Sequence, residues 1–481
     1  MTVLLFEKRA LLVIAGLMTS CLSCSQPART TPNFVFILAD DCTYWDLGCY
    51  GSQDAITPNI DRLANEGMRF THCFQAVAMC SPTRCNLMTG MYPVKTGAFP
   101  NFTFVKEGTK SIVHYLEPLG YRVALSGKIH LEPPEAFPFE YLGDPDNPAQ
   151  WPNFELVGEF LNESRRDDQR FCLFLTPNSP HLPWTQGDAT LFEADELTLP
   201  PFYVDTPVTR RELTKYFAEI NFLDRQVGQV LDMLKTYQLD KNTIVVFASE
   251  HGNTLPFAKW TCYDAGVQSA FIVRCPGIIP AGTVSDAIVE YTDVVPTLVE
   301  LAGGQPASSL DGKSMADLWR GNTKTHKDYA FSLQTTRGIS YGSEHYGIRS
   351  IRSDRYRYIV NLTPEIKFEN LVTHNNPVWE SWAAKAASNP KADAIIQRFQ
   401  HRPAMELYDV RADRYCMNNL AADPIYKDVV TKLDKRLKAW MAACGDQGQE
   451  TEMLALQHRV KLGRGWSKGG KIVPDTKSSP D

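Results

Sequence analysis

Apolar residues along this chain fall into two patterns. Asn33-Phe34-Val35-Phe36-Ile37-Leu38-Ala39 is a continuous run, as expected of a strand buried on both faces of a parallel sheet. Arg122-Val123-Ala124-Leu125, Phe171-Cys172-Leu173-Phe174-Leu175 and Ile244-Val245-Val246-Phe247-Ala248 are further strand-like runs. Between the last two, Ile220, Leu223, Val227, Leu231 and Leu234 recur at helical spacing and predict one long amphipathic helix. Thr57 as N-cap, Pro58 in the first turn and Gly67 past the end frame a shorter helix carrying Ile60, Leu63 and Ala64. Strands separated by helical patterns predict βαβ units. The fold class is therefore α/β, with a large mixed, mostly parallel sheet sandwiched by helices.

From Gly303 to Lys327 the chain turns polar and rich in Gly and Ser, which marks a boundary. Beyond it, Ile348 to Val360 reads as short strands and Pro424 to Cys444 as a helix. The expected organisation is a main domain over 25–325, a smaller C-terminal α+β lobe over 326–462, and a polar, disordered tail over 463–481.

Composition narrows the function. Among 481 residues, 49 Lys plus Arg face 55 Asp plus Glu, a net charge of -6 that argues against a nucleic-acid partner but leaves room for a local basic pocket. Twelve cysteines are too few for a disulfide scaffold in a chain of this length. At the start, Lys8 and Arg9 precede the apolar stretch Leu11–Met18, which is short for a bilayer span. Residues 1–20 read as a signal peptide. Thr19-Ser20-Cys21 resembles a bacterial lipobox, with Met18 where Leu is usual. Cys21 is then the lipidated residue, with Cys24 as second candidate. The expected location is the periplasm or cell surface, with membrane attachment only through that N-terminal lipid.

Polar chemistry follows the predicted strands. The first run ends in Asp40-Asp41, the second in Ser126-Gly127-Lys128-Ile129-His130, the third in Pro177-Asn178-Ser179-Pro180-His181, and the fourth in Ser249-Glu250-His251-Gly252. In a parallel sheet these four clusters share the carboxyl edge, where open α/β sheets bind ligands. Three carboxylates there repel one another unless a hard divalent cation lies between them. The lysines and histidines beside them make an anion site. Each group alone has a plain structural explanation; their coincidence points to function.

The most specific segment is Cys80-Ser81-Pro82-Thr83-Arg84, followed by Leu87, Thr89 and Gly90. It satisfies the Cys-x-Pro-x-Arg modification motif, and with the four strand-end clusters in the same order the chain resembles the formylglycine-dependent sulfatases of the alkaline phosphatase superfamily from about Asn33 to Leu420. The resemblance implies an alkaline phosphatase-like catalytic domain in which a maturation enzyme oxidises Cys80 to Cα-formylglycine. It further implies one Ca²⁺ held by Asp40, Asp41, Glu250, His251 and residue 80. Glu250 and His251 stand where the family has Asp followed by Asn or His, so Glu250 departs from the pattern by one methylene. Lys259, nine positions after Glu250 with Pro256 and Phe257 between, matches a basic sulfate-binding residue. That spacing is similar to the heparan N-sulfatase branch.

By the same resemblance, Lys128 and Lys259 hold sulfate oxygens, Arg84 positions the aldehyde hydrate, His181 protonates the leaving group, and His130 deprotonates the second hydroxyl. The implied substrate is a sulfated carbohydrate, as its O-sulfate or sulfamate. Two alternatives remain open on sequence: a phosphodiesterase or phosphonate hydrolase of the same superfamily, and a non-enzymatic glycan-binding protein on a sulfatase fold. Trp184, Trp260 and Tyr263 are candidates for stacking on a pyranose. Arg352, Arg355, Tyr356 and Arg357 form a basic-aromatic run that would suit an anionic sugar, but it reads first as a solvated strand face.

Overall fold

The computed structural model describes residues 31–144 and 147–458; the signal segment, Cys21, Cys24 and the tail lie outside them. The main sheet has nine strands: β1 Asn33–Ala39, β2 Met68–Phe74, β3 Arg122–Gly127, β4 Glu140–Tyr141, β5 Phe171–Thr176, β6 Thr243–Ser249, β7 Gln268–Arg274, β8 Thr283–Ser285 and β9 Val289–Glu290. Their order is β4-β3-β5-β1-β6-β7-β2-β8, with β9 also pairing β2. All pairings are parallel except β6–β7 and β2–β7. β7 is thus the one reversed strand, and β2 again runs with β1. The carboxyl ends of β1, β2, β3, β5 and β6 consequently lie on one edge.

Continuous apolar strands follow from burial on both faces. Val35, Ile37, Leu173, Val245 and Phe247 pack on one face against Ile220, Leu223, Val227, Leu231 and Leu234 of the 30-residue helix Pro207–Thr236. Phe34, Phe36, Phe174, Ile244 and Val246 pack on the other, with Val294, Val295 and Leu298 of the helix Val294–Leu301. The first core continues past the sheet. Leu333, Ile348, Tyr358 and Leu407 of an antiparallel sheet of four strands join it, together with Leu437 and Trp440 of the helix Lys427–Cys444. These strands are β10 Ala330–Thr335, β11 Gly347–Arg352, β12 Tyr356–Asn361 and β13 Met405–Asp409.

Three local expectations are corrected. Thr57 stands at the N-cap of the helix Pro58–Asn65, but its hydroxyl accepts from Gly48 N (3.0 Å) and donates to Asp61 (3.1 Å) instead of capping. Gly67 is not a left-handed terminator; it is needed because a Cβ there would sit 2.3 Å from the Val273 carbonyl oxygen. The basic-aromatic run is a solvated face only in part: Arg355 is exposed, but Arg352 and Arg357 are 3% and 0% exposed, and both grip Asp264. Among the described residues no helix is long and apolar enough to cross a membrane, and the cysteines are all unpaired.

Gly252 ties the fold to the edge that carries the chemistry. A Cβ there would fall 1.9 Å from the Ala265 carbonyl oxygen, which is backbone and cannot step aside. Gly252→Ala should therefore destabilise the protein by about 1–3 kcal/mol, read as a lowered urea midpoint; an unchanged midpoint would contradict this packing.

Candidate active site

The end of β1 sets the geometry. Asp40 N donates to Ser179 O (3.2 Å), and Glu250 N donates to Ala39 O (2.7 Å), so the chain after β5 and the chain after β6 are pinned to it. Asp41 takes a left-handed φ of 59°, which Asp tolerates better than most residues. From the other side, Met79 is extended and Cys80 opens the helix Cys80–Thr89, whose N-terminus favours negative charge.

Asp40, Asp41, Cys80, Glu250 and His251 are all buried, and one potential ligand atom from each lies within 4.8 Å of every other. Cations surround them. Arg84, 1% exposed, donates from Nε to Glu250 Oε1 (2.8 Å) and from Nη1 to Lys128 O (2.7 Å), with Nη2 3.5 Å from Asp40 Oδ2. Lys128 pairs with Asp40 and reaches Asn178 Oδ1 at 3.2 Å. Lys259 Nζ lies 2.7 and 2.8 Å from the two Asp41 oxygens and 3.4 Å from Cys80 Sγ. Three carboxylates thus meet three cationic side chains, so repulsion alone does not call for a metal here. A different observation does. Glu250 Oε2 and His251 Nε2 are buried without hydrogen-bond partners and stand 3.8 Å apart. Donation from His251 Nδ1 to the Gly252 carbonyl (2.9 Å) leaves Nε2 with a free lone pair, the form that binds a metal.

The electrostatics are divided among the groups. Burial opposes ionisation of Asp40, but the ammonium of Lys128 holds its carboxyl well below the usual range. Burial, helped by the charges of Asp40 and Cys80, pushes Glu250 well above its usual range despite Arg84. Burial would also raise the Cys80 thiol, yet Lys259, Lys128 and a hydrogen bond with His130 bring it well below the ordinary value.

The histidines flank this centre. His130, at φ 52°, packs against Phe102 with ring centroids 4.9 Å apart, and burial lowers its pKa. His181 Nε2 is 3.7 Å from Asp41 Oδ2; burial works against its proton, but the charges of Asp41 and Asp40 prevail and raise its pKa. Its side chain keeps 29% exposure, against 4% or less for Cys80, Arg84, His251 and Lys259. His181 therefore marks the open side.

All ten residues singled out on the sequence meet at this edge. Other contributors were not singled out. Thr254 donates to Asp41. Asn178 orients Lys128. Glu219, 1% exposed on the long helix, accepts from Ser179 Oγ (2.9 Å), Gln186 N and Gly187 N (3.3 Å), and so clamps the loop that carries His181. The available signal for Glu219 was an acid between Ala218 and Ile220, two positions that face the core. Of the proposed stacking residues, Tyr263 is interior, its hydroxyl donating to Glu406 (2.8 Å), and Trp184 donates to Pro180 O (2.8 Å). Trp260 lies beside the site, with the Lys259 ammonium 5.2 Å from its ring centroid.

Comparison with known proteins agrees with this geometry. Residues 32–304 match the Sulfatase family model, and residues 249–381 match the model of the C-terminal region of N-sulphoglucosamine sulphohydrolase. The chain is 32% identical over 439 residues to an ulvan-active sulfatase of Formosa agariphila, covering 89% of this chain and 83% of the relative. It is 24% identical over 486 residues to human N-sulphoglucosamine sulphohydrolase, covering 90% and 92% respectively. A structure solved in complex with its substrate D-glucosamine-2-N,6-O-disulfate superposes with a TM-score of 0.66 at 19% identity, covering 87% of this chain and 99% of that one.

The clamp on the His181 loop is testable without any assay of turnover. Glu219→Ala removes both accepting oxygens, so all three bonds are lost. Protection of the Gln186 and Gly187 amides against hydrogen exchange should fall about tenfold, the equivalent of one ordinary hydrogen bond. Unaltered protection would show that the loop is held by other contacts.

Proposed function

The chain belongs to the sulfatase family, and from that premise we propose that it is an exported enzyme removing sulfate groups from a sulfated polysaccharide, with an aldehyde at residue 80 and one bound Ca²⁺. The observation that carries this reading is the convergence of Cys80, at a helix N-terminus, with Asp40, Asp41, Glu250 and His251. Oxygen donors suit Ca²⁺. The thiol of Cys80 is a soft donor, but the oxygen that replaces it on oxidation is a hard one. The orphaned Glu250 Oε2 fits such an ion, and the orphaned His251 Nε2 adds a softer nitrogen donor beside the oxygens. A divalent cation added to a formally balanced set of charges leaves an excess of positive charge, which a sulfate group offsets.

Asp40, Asp41, Glu250 and His251 would hold the ion. When bound, the ion would draw charge from sulfate oxygens, and a hydrated aldehyde at residue 80 would supply one hydroxyl as nucleophile and a second whose proton can be removed. The chain's own residues do the rest. Arg84 is locked to Glu250, Asp40 and the Lys128 carbonyl, and so fixes residue 80 against the carboxylates. Lys259, 3.4 Å from the Cys80 sulfur, and Lys128 supply donors for the sulfate oxygens as charge develops. His130, with its depressed pKa, is neutral and can accept the proton of the second hydroxyl. His181 faces solvent and holds its proton more firmly, as required of the acid that protonates the leaving group.

Polysaccharide as substrate is supported by the relatives, one active on ulvan and one a sulphohydrolase of N-sulphoglucosamine. The match over residues 249–381 favours a second reading, cleavage of a sulfamate S–N bond. His181 can protonate nitrogen or oxygen, so the centre itself admits both. Export with lipidation at Cys21 or Cys24 completes the proposal; membrane fractions that lose the protein on Cys21→Ser would support it.

Cys80→Ala should abolish turnover while leaving the thermal midpoint close to that of the native chain, and protein made without a maturation enzyme should be equally inactive. Full activity in Cys80→Ala would refute the reading. Ca²⁺ should raise the thermal midpoint of the native protein by mass action; Glu250→Ala should lose that rise and Glu250→Asp should keep part of it. Two zinc ions per chain on elemental analysis would favour a phosphodiesterase instead. His181→Asn should lower kcat/KM on sugar sulfates by about 10²–10⁴ and far less on an aryl sulfate whose leaving group needs no proton. Comparing kcat/KM on N-sulfated and O-sulfated glucosamine separates the two bond types, and a tenfold preference decides between them.

A further inference from the structure

Between the main sheet and the C-terminal lobe lies a cavity of about 220 Å³, lined among others by Tyr44, Tyr50, Arg69, His72, Arg352 and Arg414. None of its lining residues belongs to the constellation around Cys80. Its charge is one-sided. The buried Asp264 is the carboxylate on its wall, and it is shared by two guanidiniums: Arg357 at 2.7 Å and Arg352 at 3.2 Å. Arg69 lies over the Tyr50 ring at 5.0 Å, and Arg414 over Trp45 at 5.2 Å. No carboxylate among the described residues lies within ion-pair distance of either. The neighbouring acids are engaged elsewhere, Asp354 with Arg411 and Asp409 with Arg355 at 2.7 Å.

One donor is left over in its wall. Arg352 is 3% exposed, and while its Nε binds Asp264, its Nη1 is buried without a hydrogen-bond partner. A buried guanidinium N–H with no acceptor is costly, and an anion's oxygen is the acceptor that removes the cost. The positive field is felt nearby: burial and then the Arg352 charge lower the pKa of His72. At ~30 Å³ per water the cavity holds roughly seven waters, or a tetrahedral oxyanion with part of the molecule that carries it.

We propose that this cavity is a second oxyanion-binding site, in which Arg69, Arg352 and Arg414 grip a sulfate or carboxylate group. The ligand is either free inorganic sulfate or the anionic substituent of a glycan chain. Both present the same oxygens to the same guanidiniums, and neither requires oxidation of residue 80.

The test is crystals of the full chain soaked in selenate, a sulfate analogue whose anomalous scattering locates it. Selenate density against Arg69, Arg352 and Arg414 is expected. It should vanish in R69Q/R414Q, a variant that leaves the Asp264 pairs intact, with affinity in solution weakened at least tenfold. The Cys80→Ala protein should bind selenate in the cavity like the native chain, so failure of the catalytic reading would not touch this one. Displacement by a sulfated oligosaccharide would identify the glycan as the source; selenate that resists displacement would identify free oxyanion. A cavity holding only water at millimolar selenate, density that persists unchanged in R69Q/R414Q, or an adventitious ion only, would overturn the proposal.

Discussion

Charge matching at the carboxyl edge of the main sheet is the constraint on which the rest of this structure depends. Asp40, Asp41 and Glu250 are at most 1% exposed, and buried carboxylates persist only where ionic and hydrogen-bond partners replace water. Each partner comes from a different part of the chain. Arg84 arrives on a helix after β2, Lys128 after β3, and Lys259 on the loop between β6 and β7. The sheet order β3-β5-β1-β6 is what lets these segments meet. The same arrangement builds the chemistry, because the cations that stabilise the carboxylates also surround the sulfur of Cys80.

Much of this was legible in the sequence. Strands β1, β3, β5 and β6 announce themselves because burial on both faces demands uninterrupted apolar residues, and their carboxyl ends carry the polar clusters by the logic of parallel sheets. The Cys80–Arg84 motif supplied the family and Lys259 the branch. What the pattern concealed has physical reasons too. β2 mixes polar and apolar positions, such as Arg69, Thr71 and His72, so it lacks a continuous run; β7 does carry one, Ala270-Phe271-Ile272-Val273, that was not singled out, and its reversal leaves no local mark. Glu219 acts across 40 residues on Ser179, a contact that only the tertiary fold reveals.

Arg352 and Arg357 illustrate the opposite error. Alternation of arginine with Tyr356 suggested a wet strand, since most arginines are solvated. The arginines are instead interior, because Asp264 supplies one carboxylate for two guanidiniums and the ring of Phe74 lies against both, at 5.5 and 5.3 Å. Composition could not indicate this, as the compensating acid is 88 and 93 residues away. The excess of guanidinium over carboxylate at that point is also what leaves the neighbouring cavity positively biased.

The short stretch from Lys259 to Gln268 has a further consequence. At its start Lys259 grips Asp41; five residues on, Asp264 is held by Arg352 and Arg357 of the C-terminal sheet; at its end Gln268 opens β7. The two lobes are therefore stitched through the very segment that bears a site lysine. A lineage cannot exchange the C-terminal sheet for another as a removable module without also supplying new arginines for Asp264.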